Sequence, residues 1–270
     1  MKLSILTPIK DAEICQSAGF DQLDLGINVE AKPGCGLTQD NWEEFVDAQA
    51  AYLQEKGLRA GHSHAYFSKD LYNAMSTEEF KREYVYLERT LHMAGRMGIP
   101  RIVVHPLCIK EFSAEETLRE NVAFYGRLKE IAGMYGLKID IENLLRPPFN
   151  EPDQVLRLMD MLGDDETFGM CLDTGHANYG GADIPAFIRR CGTRLHHTHI
   201  HDNHALNDAH AIPFWADVPW NDVMQALKDI GYEGAFNLEL INRRIPAPIL
   251  PSMLRYAHDT GRYLMELAKK

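Results

Sequence analysis

Six ionisable side chains fall at the ends of predicted strands, where a buried strand would otherwise carry apolar residues. In chain order they are His64, His105, Glu142, Asp173, His199 and Glu239. A polar side chain in a buried parallel strand must be compensated for its loss of water, so each of these residues requires a reason. Two glutamates, one aspartate and one histidine form a mostly oxygen ligand set that suits Mn²⁺, Mg²⁺ or Co²⁺, and the imidazole also suits Zn²⁺. The sequence therefore predicts one divalent-metal site, built from Glu142, Asp173, His199 and Glu239.

Each of these residues, taken alone, also has a structural interpretation. Asp173-Thr174 could simply cap the following helix, Glu142-Asn143 could bind the backbone amides of a loop, and a lone histidine at a strand end is often structural. Their shared position favours a functional interpretation, because the C-terminal ends of barrel strands converge on one mouth, where catalytic groups lie.

Short apolar or alternating segments recur along the chain and predict eight strands. These are Leu3–Thr7, Gln22–Ile27, Leu58–His64, Arg101–His105, Lys138–Asn143, Phe168–Thr174, Leu195–His201 and Ala235–Leu240. Amphipathic segments between them predict helices, including Asn41–Lys56, Thr77–Met97, Ala114–Tyr135, Pro152–Leu162 and Trp220–Ile230. Candidate N-cap residues are Ser76 or Thr77, Ser113 and Asn221.

Strict alternation of strand and helix predicts parallel strands joined by crossover helices, and eight such units predict a single (β/α)8 TIM barrel over residues 1–270. An open doubly wound sheet is the alternative. Its nucleotide-binding turn would need glycines after the first strand, where this chain has Pro8-Ile9-Lys10-Asp11. We therefore expect a barrel without an organic cofactor.

Composition limits the classes of binding partner and the cellular location that we expect for this protein. The chain has 28 basic and 39 acidic residues, a net charge of −11, which argues against a nucleic-acid partner. Five cysteines without CxxC spacing indicate free thiols in a reducing cytoplasm. The N-terminal residues are typical of a strand and not of a signal peptide, and no apolar run approaches the roughly 18 residues of a membrane span. We expect a cytoplasmic protein without a membrane partner, and a homo-oligomer is left open.

Four segments resemble the strand-end motifs of the xylose-isomerase-like barrel superfamily, which contains sugar and sugar-phosphate isomerases and epimerases and the endonuclease IV family. These segments are Ile141–Asn143, Cys171–His176, His199–Asn203 and Leu238–Leu240. The resemblance runs from the first strand to the last. It implies a sugar or sugar-phosphate substrate, one metal on the four ligands named above, and His176 close to the substrate.

The resemblance also implies a reaction in which Glu142 and Glu239 are catalytic. In the keto-sugar epimerases of this superfamily, the two glutamates lie on opposite faces of the substrate carbon. A cation that chelates neighbouring carbonyl and hydroxyl oxygens acidifies the intervening C–H and stabilises the enediolate. One carboxylate removes the proton and the other returns it. The tagatose-epimerase branch carries an arginine shortly after its D-N motif, and this chain has none near Asp202-Asn203, which argues against close identity with that branch.

Two other functions remain open. The first is a multi-zinc, endonuclease IV-like phosphodiesterase acting at abasic sites, because Asp208-Ala209-His210 resembles a zinc-binding D-x-H, and His64 and His105 also fall where that family places zinc ligands. We expect these four side chains, His64, His105, Asp208 and His210, to bind either substrate or a second metal. A mouth with few basic residues, and His105–Cys108 without the Gly-Ser of the nuclease pattern, favour the sugar enzyme.

The second alternative is a non-catalytic barrel that binds a sugar, which is disfavoured because no metal position is replaced. Three further positions are candidates for contacts around the mouth. Arg243-Arg244 could bind a substrate phosphate, since barrels often place phosphate near strands seven and eight, or could be a solvated pair. Phe67 and Trp215 could line the pocket, or could pack within their loops.

Overall fold

Eight parallel strands close into a barrel in chain order, which confirms the predicted (β/α)8 architecture. The computed structural model describes residues 1–240 and 245–269. The strands are β1 Lys2–Thr7, β2 Gln22–Leu25, β3 Ala60–His64, β4 Arg101–Val104, β5 Lys138–Glu142, β6 Phe168–Asp173, β7 Leu195–Ile200 and β8 Ala235–Leu238. Pairing between β1 and β8 completes the ring.

The helices surround this ring. They are α1 Ala12–Ser17, α2 Trp42–Glu55, α3 Glu78–Arg96, α4 Ala114–Tyr135, α5 Pro152–Leu162, α6 Thr174–Tyr179, α7 Ile184–Cys191, α8 Trp220–Asp229 and α9 Leu250–Leu267. Their apolar faces pack on the outside of the strands and form a continuous core with them. Within the described residues, no helix combines the length and the apolar character needed to cross a bilayer.

Local chemistry explains several helix ends. The side chain of Ser113 accepts a hydrogen bond from the Glu116 backbone, and the Glu116 side chain bonds back to the Ser113 backbone, so α4 begins with a complete capping box. The same helix ends at Gly136, whose φ of 64° is a left-handed conformation that glycine adopts without strain. Thr77 caps α3, as predicted. The prediction of Asn221 as a cap is wrong, because Pro219 precedes α8 and Asn221 lies inside its first turn.

Several predicted strands extend one or two residues beyond the observed ones. His105 follows β4 and Glu239 follows β8, so both side chains stand just above the hydrogen-bonded ring. The backbone N–H of Glu239 still donates to the carbonyl of Ile200 on β7, at 3.1 Å. Both residues are therefore held at the C-terminal mouth although neither belongs to a strand.

Candidate active site

The four predicted metal ligands lie together at the C-terminal mouth. Glu142 ends β5, Asp173 ends β6, His199 is the penultimate residue of β7, and Glu239 follows β8. One potential ligand atom from each residue lies within 4.8 Å of the others. Glu142, Asp173 and His199 are buried and Glu239 is partly buried. A divalent cation inside this group would meet three carboxylates and one imidazole.

Glu142 occupies the centre of the site. Its Oε1 lies 3.1 Å from Nδ1 of His199, and its Oε2 lies 3.0 Å from Nε2 of His105 and 3.2 Å from Nε2 of His64. Burial alone raises the pKa of this carboxyl group, but the attraction of His199 and His105 outweighs burial and holds the pKa well below its usual range. Glu142 is therefore an ionised carboxylate shared between two groups of histidines.

Asp24 of β2 holds His199 from inside the barrel. Its Oδ2 lies 3.6 Å from Nε2 of His199 and 2.9 Å from Nε2 of His197, and it accepts a hydrogen bond from Nδ2 of Asn237 at 3.0 Å. Burial raises the pKa of Asp24, but the two histidines reverse this effect and keep the carboxyl group ionised. Because Nε2 of His199 faces this carboxylate, Nδ1 faces the mouth, as in histidines that ligate a metal through one nitrogen and donate through the other.

Asp173 both caps a helix and belongs to the group of potential metal ligands. Its Oδ1 accepts the backbone N–H of His176 at 2.6 Å and caps α6, as the structural interpretation expects. The same carboxylate lies 3.0 Å from Nε2 of His201 and belongs to the four-residue group at the mouth. The two interpretations of this residue are therefore compatible.

Three histidines around the centre share one orientation: His64, His176 and His210. In each, Nδ1 lies between 2.8 and 3.1 Å from a backbone carbonyl oxygen, which can only accept, so Nδ1 carries a proton. Nε2 then faces a carboxylate, Glu142 for His64 and Asp208 for the other two. A neutral ring would direct its lone pair at these anions, so a proton or a metal ion must lie between them.

For His210 the proton is strongly held. Burial lowers the pKa of this imidazole, but its hydrogen bond to Asp208 and the nearby Glu239 carboxylate raise the pKa to about 9. The distance from Nε2 of His210 to Oδ2 of Asp208 is 3.0 Å. A proton on His210 therefore offsets the negative charge of Asp208.

Three further groups of potential metal ligands share a residue with the first, each with its ligand atoms within 4.8 Å of one another. They are His64, His105 and Glu142; His201, His210 and Glu239; and Cys171, His197 and His199. Asp208 belongs to none of these groups but contacts both His176 and His210. All nine side chains proposed from the sequence are thus brought to one mouth.

Asp202 and Asn203 fold the loop that carries Asp208 and His210. The buried carboxylate of Asp202 accepts four hydrogen bonds, donated by the backbone N–H groups of Phe214, Ala216 and Val218 and by the indole of Trp220. Nδ2 of Asn203 donates to the carbonyl of Gly175 and fastens the loop to α6. The Asp-Asn half of the His199–Asn203 motif is therefore structural here, and the histidines supply the polar groups of the mouth.

A cavity of about 690 Å³ opens above these groups. Its floor is formed by ionisable residues of the mouth: His64, His105, Glu142, His176, Asp208, His210 and Glu239. Among the described residues, most of its remaining wall is apolar and comes from the loops after β3, β4 and β5: Phe67, Tyr72, Cys108, Ile109, Phe112, Leu144, Leu145, Pro147 and Pro148. The cavity therefore has a polar floor and a largely apolar side, to which Lys110, Thr117 and Arg146 also contribute.

Of the residues predicted to make contacts around the mouth, Phe67 lines the cavity and Trp215 does not. Phe67 lines the cavity, and its ring stacks on His105 with centroids 4.5 Å apart. Trp215 is absent from the described lining, because its exposed side chain instead donates a hydrogen bond to the hydroxyl of Tyr256 at the surface. The Arg243-Arg244 pair lies outside the described residues.

Three residues that organise the site are not among those predicted from the sequence. Asp24 had a usable signal, since a carboxylate between Leu23 and Leu25 in a buried strand is as unusual as Glu142. His201 shares its strand face with His199 and could have been included on that basis. Tyr72, whose hydroxyl lies 3.0 Å from Nδ1 of His105, follows from no local pattern.

A model of the xylose isomerase-like TIM barrel family matches residues 12–260. Among curated proteins, an uncharacterised protein of Methanocaldococcus jannaschii is 31% identical over 192 residues, 67% of this chain and 64% of that protein. A D-psicose 3-epimerase of Enterocloster bolteae is 32% identical over 90 residues, 33% of this chain and 28% of that enzyme. A fructoselysine 3-epimerase of Escherichia coli O157:H7 is 31% identical over 67 residues, 25% and 24% of the two chains. The chain thus spans less than two thirds of the length of these relatives.

Solved structures share the whole fold at low sequence identity. A D-tagatose 3-epimerase-like protein superposes with a TM-score of 0.79 and 21% identity, covering 100% of this chain and 98% of that one. A D-psicose 3-epimerase solved with D-fructose gives 0.77 and 17%, with coverage of 98% and 99%. The IOLI protein with a bound zinc atom gives 0.71 and 19%, with coverage of 100% and 98%. Together with the family match over most of the sequence, the closed barrel shows that this chain belongs to the xylose isomerase-like TIM barrel family.

Proposed function

We propose that the protein is a divalent-metal-dependent epimerase or isomerase of sugars or sugar phosphates. The observation that carries this proposal is that Glu142 and Glu239 both approach Nδ1 of His199, at 3.1 and 3.0 Å, and both line the cavity. Two carboxylates that meet at one point are suited to removing a proton and returning it elsewhere. The similarity to a D-psicose 3-epimerase and a fructoselysine 3-epimerase supports the same reaction class.

The residues of the mouth fit a divalent cation. Glu142, Asp173, His199 and Glu239 form a mostly oxygen donor set with one imidazole, which suits Mn²⁺, Mg²⁺, Co²⁺ or Zn²⁺. Within the described part of the chain, the buried Oε2 of Glu239 lies 3.0 Å from Nδ1 of His199 but forms no hydrogen bond of good geometry. A buried anionic oxygen without a well-placed donor costs free energy, and a bound cation would offset that cost.

The proposed chemistry is a proton transfer at a carbon next to a carbonyl group. A bound cation would polarise the carbonyl and hydroxyl oxygens of a ketose and acidify the C–H between them. Either Glu142 or Glu239 would take up that proton, and the other would protonate the opposite face or the adjacent carbon. His176, at the cavity floor beside Asp208, would donate a hydrogen bond to a substrate oxygen.

Incubation with ketoses, ketose phosphates and inososes in D₂O, in the presence of Mn²⁺, tests the proposal. We expect solvent deuterium to enter a substrate carbon, and Glu239→Gln to lower the exchange rate by at least about 100-fold with the fold intact. Glu233→Gln is the matched control, because Glu233 is exposed and precedes the same strand at the opposite end of the barrel. The absence of deuterium from every substrate would refute the proposal.

A second candidate, a multi-zinc phosphodiesterase, is favoured by one observation. His64, His105 and Glu142 form an additional ligand group, and His64, His176 and His210 are all oriented as metal-binding histidines. Several zinc ions would generate hydroxide and bind phosphoryl oxygens. Against this candidate, Lys110 and Arg146 are the only cationic side chains other than histidines among the described residues of the cavity wall, fewer than a duplex requires.

Metal content, together with either deuterium exchange or nicking of an abasic duplex, distinguishes the two candidate functions. About one Mn, Mg or Co per chain, with deuterium exchange, supports the sugar enzyme. Two or three zinc ions per chain, with nicking of an abasic duplex and no exchange, would replace it with the phosphodiesterase.

A further inference from the structure

A second cavity, of about 520 Å³, opens at the N-terminal end of the barrel, opposite the mouth. It borders the starts of the five neighbouring strands β1 to β5, and we call it the basal cavity. Four of these strands begin with a cation or directly follow one: Lys2, Arg59, Arg101 and Lys138. All four cations line the basal cavity, although the protein as a whole carries a net charge of −11.

Most of this positive charge has no anionic partner within the described residues. Lys2, Arg59 and Lys138 form no ion pair there. The one acidic residue in the described lining is Asp21, and its carboxylate already binds the side chain of Arg262 and the backbone N–H of Leu3. Cations that line a cavity without compensation attract a negatively charged ligand.

Arg101 is held in a fixed orientation at the wall of the basal cavity. Its Nε donates to Oδ2 of the buried Asp140 at 2.8 Å, and its Nη2 contacts Oδ1 of the same carboxylate and Nδ1 of His196. Its Nη1 has no hydrogen-bond partner within the described residues. Lys138 is the cross-strand partner of Arg101 and places a second cation beside it. A guanidinium that is fixed on one edge presents its remaining N–H groups in a set direction, which suits an oxyanion.

His62 is a buried polar side chain of the same lining. It is 6% exposed, and neither of its ring nitrogens forms a hydrogen bond within the described residues. Its ring stacks on that of His197, with centroids 3.7 Å apart. Burial lowers the pKa of this imidazole to about 3, so the ring is neutral and carries one N–H donor. A buried N–H group without a partner costs free energy, and an oxygen atom of a ligand in the cavity would offset that cost.

We propose that the basal cavity is a binding site for the phosphate group of a small molecule, separate from the active site. Arg101 and the N–H group of His62 would bind phosphate oxygens, and the three other cations of the lining would neutralise the charge of the phosphate. The cavity volume is within the range of small-molecule sites, so there is room for more than the phosphate group itself.

A purely structural role for the cations is the alternative. The C-terminal end of α4 borders the basal cavity at Gly136, and Lys138 lies two residues beyond it. A cation near this helix end interacts favourably with the helix dipole. A role of this kind stabilises the fold and involves no ligand, so measurements of stability and of anion affinity separate it from the proposed site.

Isothermal titration calorimetry at constant ionic strength tests the proposal with three probes: inorganic phosphate, pyrophosphate and fructose 6-phosphate. We expect saturable binding of at least one of them with a Kd below about 1 mM in about 50 mM salt, and weaker binding in about 200 mM salt because exposed charges are screened. Tighter binding of fructose 6-phosphate than of the two inorganic probes would identify a phosphate ester as the ligand. The reverse order would identify free phosphate or pyrophosphate.

Variants of the lining locate the bound anion. Arg59→Gln and Lys138→Gln should each weaken the affinity about 3- to 10-fold, because each removes one cation from the cavity. His62→Phe keeps a ring that can stack on His197 but removes the N–H donor, and it should weaken the affinity about tenfold. Urea unfolding checks that each variant is folded.

Two further variants are matched controls. Arg255 is exposed on α9, forms no ion pair within the described residues and is outside the described lining of the basal cavity. Arg146 lines the cavity at the mouth. We expect Arg255→Gln and Arg146→Gln to keep the affinity of the parent within about twofold.

Three results would overturn the inference. The first is that none of the three probes binds saturably. The second is an affinity within about twofold of the parent in Arg59→Gln, Lys138→Gln and His62→Phe, which would leave the cations with the structural role alone. The third is a loss of affinity in Arg146→Gln in place of the basal variants, which would put the anion at the mouth. None of these results depends on the proposed sugar reaction, because anion binding is measured without turnover.

Discussion

Replacing Asp24 by asparagine tests how the site orients His199 without altering a proposed ligand. The asparagine would keep the size of the side chain and one carbonyl oxygen, which can still accept from Asn237. It would lose the negative charge that faces Nε2 of both His197 and His199, at 2.9 and 3.6 Å. The hydrogen on Nε2 of His199 would then be less strongly favoured, and Nδ1 would be less often free to bind a metal.

The magnitude follows from these contacts. Loss of a hydrogen-bonding partner behind a metal-bound histidine typically weakens metal affinity by about 10- to 100-fold, or about 1.4 to 2.8 kcal/mol. The contact with His199 is longer than that with His197, so we expect a loss near the lower value, about tenfold. A further loss of about 1–3 kcal/mol in the free energy of unfolding should accompany it, because His197 also loses its charged partner in a fully buried position.

Chelator competition with Mn²⁺ measures the affinity, and urea unfolding of the metal-free protein measures the stability. Asp140→Asn is the matched control: Asp140 is equally buried on β5, but it pairs with Arg101 and lies near His196, away from the proposed ligands. We expect this control to lose stability and keep its metal affinity. A folded Asp24→Asn variant whose affinity stays within about twofold of the parent would refute the proposed orienting role of Asp24.

Three further predictions concern the fold around the site. Gly175→Ala should lower the free energy of unfolding by about 1–3 kcal/mol in urea titrations, because the added Cβ would lie 1.8 Å from the ring of His201; an unchanged midpoint would contradict this packing. Burial, aided by His197, lowers the pKa of His62 from 6.5 to about 3, so the unfolded chain binds a proton below pH 6.5 that the folded chain does not. The free energy of unfolding should therefore fall by about 1.4 kcal/mol per pH unit as the pH is lowered from about 6.5 to about 3. The pH dependence of the His62→Gln variant should be less steep by that amount, and equal slopes for the two proteins would exclude this effect of His62. At pH 8 a thiol reagent should label only the half-buried Cys35 and Cys108 in the native protein, and all five cysteines in urea. Rapid labelling of a third cysteine in the native protein would show that burial does not protect Cys15, Cys171 and Cys191.

The fold was predictable because its signals are local. An apolar run such as Arg101–Val104 and an amphipathic segment such as Ala114–Tyr135 each indicate their own structure, and strict alternation then fixes the topology. The strand ends were less predictable. His105 and Glu239 continue their apolar runs but lie just beyond the strands, since the end of a strand depends on where its neighbours stop pairing.

The support of the site was not predictable, because it depends on contacts between distant segments. Asp24 reaches His197 across 173 residues, and nothing near Asp24 in the sequence indicates that partner. Asp202 looked like part of a chemical motif, yet its carboxylate folds a loop by binding backbone N–H groups that lie 12 to 16 residues away. Sequence pattern thus selects residues with unusual chemistry, and only the folded chain distinguishes those that face the cavity from those that hold it in place.

This distinction bears on the arginine that is missing after Asp202-Asn203. In this chain the next residue, His204, is exposed and pairs with Asp217 at 2.9 Å, so this point of the loop contributes no cation to the described cavity wall. Lys110 and Arg146 instead approach from the loops after β4 and β5. A scaffold with the same central carboxylates can therefore present its positive charge on a different side of the mouth, because the loops vary independently of the strands that hold the ligands. The position of that charge, and not the central cluster, is where we expect this chain to select its substrate.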